Sequence, residues 1–140
     1  MSFSLTGKRI LITGGSRGIG AEITKAAAAQ NAKFIAIGYV SDSSKKVAEE
    51  MIAKLKTEYT NTEIVAVQGD LVDQKTCSEF VKSALQSAPE GKFDALVCSA
   101  GVMNMVTLAQ STDENFDYHY SGFSSPTFLF SLERKEGCLW

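Results

Sequence analysis

The sequence has little of what metal sites and disulfide frameworks require. It contains one histidine and three cysteines among 140 residues, and Cys77, Cys98 and Cys138 are widely spaced. No pair of them has the C-x-x-C spacing of a zinc site or a redox dithiol. We therefore expect no metal and reduced thiols, and we expect Cys98 to be a small buried apolar residue rather than a nucleophile.

Long apolar runs and an excess of positive charge are also missing. No stretch approaches the roughly 20 apolar residues that cross a membrane, and the start, MSFSLTGKR, lacks an apolar segment of signal-peptide length. The formal net charge is -2. Nucleic acids and anionic membranes attract cationic surfaces, so neither is an expected partner. We expect a soluble, cytoplasmic protein, and the length suits one domain.

The sequence does contain a repeated alternation of apolar runs and helix-forming segments. Strands are predicted at 9–13, 33–40, 63–68 and 93–99, with helices after the first three, the third over about 74–86. The strands are largely apolar rather than alternating, which is typical of a parallel sheet covered by helices on both faces. Right-handed crossovers then predict an α/β fold, a Rossmann-like doubly wound sheet of about four strands in the order 3-2-1-4.

Apolar residues at helical spacing predict which helix faces pack on the sheet. In the first helix they are Ile19, Ile23, Ala26 and Ala27, and in the second they include Val47, Met51, Ile52 and Leu55. A further helix is expected from a cap at Ser111 or Thr112 through Phe116 and Tyr120.

Five glycines lie in GKRILITGGSRGIGAEI, residues 7–23, the segment that connects the first predicted strand to the first predicted helix. Gly14 permits a turn without Cβ strain, Gly18 lets backbone approach a pyrophosphate, and Gly20 lets the helix lie close to the sheet. Backbone N–H groups and the positive end of the helix dipole would then face the anion. In its setting of repeated βα units, this loop predicts dinucleotide binding rather than a plain structural turn.

The stretch TGGSRGIG, residues 13–20, resembles the Thr-Gly-x-x-x-Gly-Ile-Gly fingerprint of the short-chain dehydrogenase/reductase family. Two landmarks follow in order: Asp70 in GDL after the third strand, and Ser99-Ala100-Gly101 after the fourth. There the family usually has Asn-Asn-Ala-Gly, so Cys98 and Ser99 depart from its pattern. The resemblance covers about residues 5–120.

The resemblance implies that Asp70 contacts the adenine and that backbone at Ala100 and Gly101 passes beside the cofactor ribose. The alternatives are a capping aspartate and a turn of small residues. We expect the cofactor-binding residues to be Gly14, Ser16, Arg17, Gly18, Ile19, Gly20, Tyr39, Asp70, Leu71, Ser99, Ala100 and Gly101.

The residues near the end of the second strand favour NADP(H) over NAD. An NAD-type site needs an acidic side chain there, but Gly38, Tyr39 and Val40 offer none before Asp42. Arg17 could make a charge-assisted contact to a 2′-phosphate. Ser41, Lys45 and Lys46 could add donors, although such a lysine pair is more often a solvated face.

The resemblance also implies hydride transfer between NADP(H) and a carbonyl or alcohol substrate. In the family a tyrosine moves the proton, a lysine four residues later lowers its pKa, and a serine polarises the oxygen. A tyrosine with its ordinary pKa of about 10 needs such a neighbouring cation. Four positions after the four tyrosines stand Ser43, Glu63, Gly122 and Ser124, so none is lysine.

We therefore expect a shortened member of the family that lacks the catalytic residues. Its NADP(H)-binding domain would span 1–121, and 122–140 would be a divergent tail. Three possibilities stay open: an oxidoreductase, a non-catalytic binding or regulatory partner of a full-length relative, and an incomplete gene or splice product.

Two features bear on self-association and on residual acid–base chemistry. Without a fifth strand the fourth becomes an edge, which predicts self-association or cover by the apolar run 128–130 and Trp140. Tyr118, His119 and Tyr120 have acid–base potential, but they point in different directions on a helix. A surface or partner-facing role is the better account of them.

Overall fold

The computed structural model describes residues 4–72 and 74–121. The main elements are, in chain order, β1 (Arg9–Thr13), α1 (Gly18–Ala29), β2 (Phe34–Tyr39), α2 (Asp42–Glu58), β3 (Glu63–Gln68), α3 (Gln74–Ser87) and β4 (Ala95–Cys98). Short 3-10 helices follow at Pro89–Gly91 and Leu108–Gln110. The backbone is again helical over 113–121, called α4 here. The predicted tail, with 128–130, Cys138 and Trp140, lies outside the described residues.

The four strands form one parallel sheet in the order β3-β2-β1-β4, which confirms the predicted topology. The predicted bounds of β1 and β3 are those observed, whereas β4 is shorter than predicted at both ends. Every residue of β1 and β2 is buried, because these central strands are covered on both faces.

The two faces of the sheet bury separate apolar clusters. Successive side chains of a strand point to opposite faces, so Leu11 joins one cluster while Ile10 and Ile12 join the other. The Leu11 face packs against α3 through residues such as Phe80. The opposite face packs against α1 and α2. Helices packed on both faces of the sheet hold the carboxyl ends of the strands in a fixed arrangement.

The buried face of α1 matches the predicted one in part, since Ala27 is buried and Ile23 packs against the core cluster. Ile19 is 77% exposed and Ala26 is exposed, while the buried residues are Gly20, Thr24, Ala27 and Ala28. The Thr24 hydroxyl donates to the Gly20 carbonyl oxygen at 2.8 Å, so this polar side chain is satisfied in the interior. The helix therefore approaches the sheet on its smallest side chains. On α2, Val47 is likewise exposed, whereas Ile52 and Leu55 are buried as expected.

The prediction of a buried Cys98 is wrong. Cys98 is exposed at the end of β4, whereas Cys77 is buried in the core. Within the described sheet β4 is the outermost strand beside β1, and its side chains are only half-buried or exposed. An apolar run that looks like a core strand is therefore partly accessible to solvent.

An ion-pair network fastens β4 to β1 at the amino end of the sheet. The buried Arg9 donates through Nε and Nη2 to the Asp94 carboxylate, at 2.9 and 3.0 Å, and through Nη1 to Glu90 at 2.8 Å. The Arg9 backbone N–H also donates to Asp94, at 2.8 Å. The Arg9 guanidinium and this N–H lower the pKa of Asp94 to about 2. Lys92 and, secondarily, Arg9 lower the pKa of Glu90.

Candidate functional site

A cavity of about 460 Å³ opens at the carboxyl ends of the strands. It lies where strand order reverses, because the chain leaves β1 toward β2 on one side while β4 lies on the other. The ends of the strands, the loops after them and single residues of α2, α3 and α4 contribute its lining: Gly14, Ser16 and Arg17; Gly38, Tyr39, Val40, Ser41 and Ser44; Gly69, Asp70, Leu71, Val72 and Phe80; Ser99, Ala100, Gly101 and Val102; and Tyr118.

Nine of the twelve predicted cofactor-binding residues line this cavity: Gly14, Ser16, Arg17, Tyr39, Asp70, Leu71, Ser99, Ala100 and Gly101. The other three begin α1 and lie outside the lining. Gly18 and Ile19 border a shallow apolar surface on α1 with Ile23 and Ala26. Gly20 packs against the Gly14 carbonyl so closely that a Cβ would overlap it.

The glycines of the β1–α1 loop serve different purposes. Gly14 has a φ of +64°, and a Cβ there would lie 2.8 Å from the Ala100 Cα. Gly18 also has a positive φ, +56°, but nothing lies within 4 Å of the position of its Cβ. Gly14 therefore allows two loops to meet. Gly18 leaves open space at the beginning of α1, as a site for a phosphate would require.

The amino terminus of α1 has no capping side chain. Its N-cap residue is Arg17, in an extended conformation, and the Arg17 side chain makes no capping hydrogen bond. The first turn of α1 carries no acidic residue. The positive end of the helix dipole is therefore not offset by a local carboxylate, which suits an anion at this position.

Thr13 is a site residue that the sequence analysis missed. Its side chain is fully buried, and Oγ1 accepts hydrogen bonds from the backbone N–H groups of Ser99 and Ala100, each at 3.1 Å. One hydroxyl thus joins the end of β1 to the loop after β4. The sequence signal for it is its place as the threonine that opens the TGGSRGIG fingerprint.

The cavity wall at the end of β2 consists of small polar groups. Ser41 caps α2, where its Oγ accepts from the Ser44 N–H at 3.3 Å, and both serines line the cavity. Neither Asp42 nor the lysine pair Lys45 and Lys46 belongs to the lining. Among the described lining residues, the charged side chains are those of Arg17 and Asp70.

Asp70 and Leu71 differ in what they offer a ligand. Asp70 is exposed, and its Oδ1 accepts from the Val72 N–H at 3.2 Å, which makes an Asx-turn before α3 and not a cap on its first turn. The other carboxylate oxygen, Oδ2, makes no such hydrogen bond with the Val72 N–H. The Leu71 side chain is buried in the cluster against α3, which makes it part of the cavity floor.

The aromatic cluster on α4 is divided between the cavity and the surface. Tyr118 lines the cavity, whereas His119 and Tyr120 do not. Tyr120 stacks on Phe116 with ring centroids 6.2 Å apart, and both rings are exposed. Thr112 begins the helix with reciprocal bonds to Asn115, each at 3.3 Å, which decides between the two expected caps.

Within 4–72 and 74–121, no group of three or more His, Cys, Asp or Glu side chains could hold a metal ion. No helix in that part of the chain is both long and apolar enough to span a membrane.

Comparison with known proteins gives consistent matches. A family model described as short chain dehydrogenase matches residues 8–130. The short chain dehydrogenase penD of Penicillium thymicola is 32% identical over 117 residues, covering 81% of this chain and 41% of the relative. The chain thus spans about two-fifths of the length of the curated relatives it matches.

Solved structures agree with this match. A short chain dehydrogenase from Burkholderia cenocepacia in complex with NADP superposes with a TM-score of 0.81 and 29% identity, covering 96% of this chain and 52% of that one. A blue fluorescent protein from a metagenomic library, in complex with NADPH, gives a TM-score of 0.80 and 30% identity, covering 96% and 53%.

Proposed function

The chain belongs to the short chain dehydrogenase family, and on that premise we propose that it binds NADP(H) in the cavity at the carboxyl ends of its strands. The observation that carries the proposal is the junction of two loops at the start of an uncapped helix. The Gly14 backbone meets Ala100 there, Thr13 fixes the contact, and α1 directs its positive end to the same place.

The residues present fit a dinucleotide diphosphate. A phosphate needs backbone N–H donors and room to approach them, which the open space at Gly18 and the uncapped α1 provide. We assign the diphosphate to the backbone of Gly18, Ile19 and Gly20, and the nucleoside portions to the cavity lined by the other nine residues. Asp70 and Tyr39 would border the adenosine half.

The 2′-phosphate distinguishes NADP from NAD, and the charges around the cavity favour NADP. Arg17 lines the cavity with an exposed guanidinium, and Ser41 and Ser44 lie at the same wall with hydroxyl groups. A carboxylate at this wall would select NAD, but the described lining there has none. The NADP and NADPH complexes of similar proteins support the same choice.

When bound, the nicotinamide would supply or accept a hydride, which is the chemistry expected of the family for carbonyl and alcohol substrates. In the family, a tyrosine whose pKa is lowered by a lysine is expected to transfer the proton to the substrate oxygen. The sequence has no Tyr-x-x-x-Lys pair, and Tyr118 at the cavity is followed four residues later by Gly122. We therefore propose that these 140 residues bind NADP(H) without turning over a carbonyl substrate.

A titration of the full chain with NADPH, followed by the blue shift of nicotinamide fluorescence, tests the proposal. We expect saturable binding, with NADH binding more weakly. Gly18→Asp is the control, because a carboxylate at the open position repels phosphate. No saturable signal, or equal affinity in Gly18→Asp, would overturn the assignment. NADPH oxidation with a carbonyl panel above the Gly18→Asp rate would contradict the absence of turnover.

A further inference from the structure

His119 connects two segments that both border the cavity. It follows Tyr118, a lining residue, on α4. Its Nε2 lies 2.8 Å from the backbone nitrogen of Asn104, two residues beyond the lining residue Val102. Its Nδ1 lies 2.6 Å from the carbonyl oxygen of Asn115, one turn earlier on α4. The half-buried ring therefore closes the loop from Asn104 to α4.

The two partners fix the protonation state of the ring. The backbone N–H of Asn104 can only donate, so Nε2 must accept and carry no proton. The proton is then on Nδ1 and is donated to Asn115. A doubly protonated imidazolium has N–H groups at both positions, so it cannot accept from Asn104. The bond to Asn115 survives protonation, whereas the bond to Asn104 does not.

We infer that His119 is a positioning residue that acts as a pH-sensitive latch on the loop after β4. When neutral, the ring holds Asn104 against α4 and so restrains Gly101 and Val102, which line the cavity. When protonated, it releases this loop. The second proton is added on acidification, and histidine is the side-chain type that proteins use for such switches.

The two elements that hydrogen-bond to His119 differ in charge. Residues 99–112, which supply the Asn104 N–H, include no ionisable side chain. The described part of α4 supplies Asp113, Glu114 and Asp117, together with Tyr118 and Tyr120. The hydrogen bond from Thr112 lowers the pKa of Glu114, which keeps that carboxylate charged throughout the relevant range.

Hydrogen exchange of the full chain tests the latch without any ligand. The exchange rate of the peptide covering 102–107 is measured at about pH 8 and at about pH 5.5. Each measured rate is divided by the intrinsic exchange rate at the same pH, and β2 serves as the internal reference. We expect protection of 102–107 to fall about threefold at the lower pH while β2 is unchanged. Equal protection of 102–107 at both values would overturn the inference.

A matched variant separates the titration from other effects of acid. The glutamine of His119→Gln offers one acceptor and one donor but does not titrate. The segment 102–107 of this variant should therefore be equally protected from exchange at both pH values. A threefold fall in the variant as well would overturn the inference. If the variant does not fold, the wild-type comparison against β2 remains decisive.

The effect on cofactor affinity rests on the proposed function. The ratio of NADPH dissociation constants at the two pH values should be about threefold larger in wild type than in His119→Gln. An equal ratio would contradict a role in cofactor binding. Absence of NADPH binding in both proteins would refute the proposed function, whereas the exchange result would still decide the latch.

Discussion

The hydroxyl oxygen of Thr13 lies 3.1 Å from the backbone nitrogen of Ala100 and accepts its N–H. The two residues are 87 positions apart, and the contact joins the end of β1 to the loop after β4. The same oxygen accepts from Ser99. The geometry of the cavity therefore depends on one buried side chain that is not itself part of the cavity lining.

Replacing Thr13 by valine should destabilise the protein by about 2 kcal/mol, because two N–H donors lose their acceptor. Thr13→Ser keeps the hydroxyl and should cost less than half as much. Equilibrium urea unfolding measures both. A Thr13→Val protein as stable as Thr13→Ser would show that the hydroxyl does not hold the two loops together.

The two glycines with positive φ should respond differently to alanine. In Gly14→Ala the new Cβ would meet the Ala100 backbone, whereas in Gly18→Ala it would enter open space. In both variants a residue with a Cβ must adopt a positive φ, which costs about 1–2 kcal/mol. Only Gly14→Ala adds a steric overlap with the backbone. We expect Gly14→Ala to melt at a clearly lower temperature than Gly18→Ala. The reverse order in thermal denaturation would contradict the close approach of the two loops.

Arg17→Ala should weaken NADPH binding by about tenfold or more, since it removes a charge-assisted hydrogen bond to the 2′-phosphate. NADH affinity should change little, because NADH has no phosphate there. Lys25→Ala is the matched control: it removes one positive charge from the exposed surface of α1 outside the cavity. Equal losses of NADPH affinity in both variants would assign the effect to net charge.

Asp94→Asn should lower the melting temperature by roughly 5 °C at neutral pH, because the Arg9 guanidinium loses one of its two carboxylate partners and keeps Glu90. The pKa of Asp94 falls from 3.8 to about 2 on folding, so the carboxylate stabilises the protein fully above pH 3.8. That stabilisation is lost as the pH falls toward about 2. The melting curves of variant and wild type should therefore converge in acid. Asp117→Asn, at an exposed site on α4, should not show this pH dependence.

Much of the fold could be predicted because its causes are local. The apolar runs of β1 and β3 are bounded by polar or turn-forming residues, and right-handed crossovers leave few ways to order four parallel strands. The face of α1 could be predicted from hydrophobicity only in part, as Ile23 and Ala27 show. Ile19 looks like a core residue, but the helix packs through Gly20, Thr24 and alanines because small residues allow close approach to the sheet.

The conformation of the candidate site's glycine loop was predictable, because glycine at such a turn has one physical reason to be present. Gly14 and Gly18 are examples, since both have a positive φ. Contacts between distant segments were not predictable. The Thr13–Ala100 bond and the His119–Asn104 bond depend on loops that meet only in the folded chain. The exposure of Cys98 depends on its place in an outermost strand of the described sheet, which its apolar neighbours do not reveal.

The central claim is that the first amides of α1 bind the diphosphate of NADP(H). The most direct measurement is an amide NMR titration of the isotope-labelled full chain with NADPH. The resonances of Gly18, Ile19 and Gly20 should move with the same saturation as the fluorescence signal, while amides of β3 stay fixed. Binding by fluorescence with those three resonances unmoved would contradict the claim.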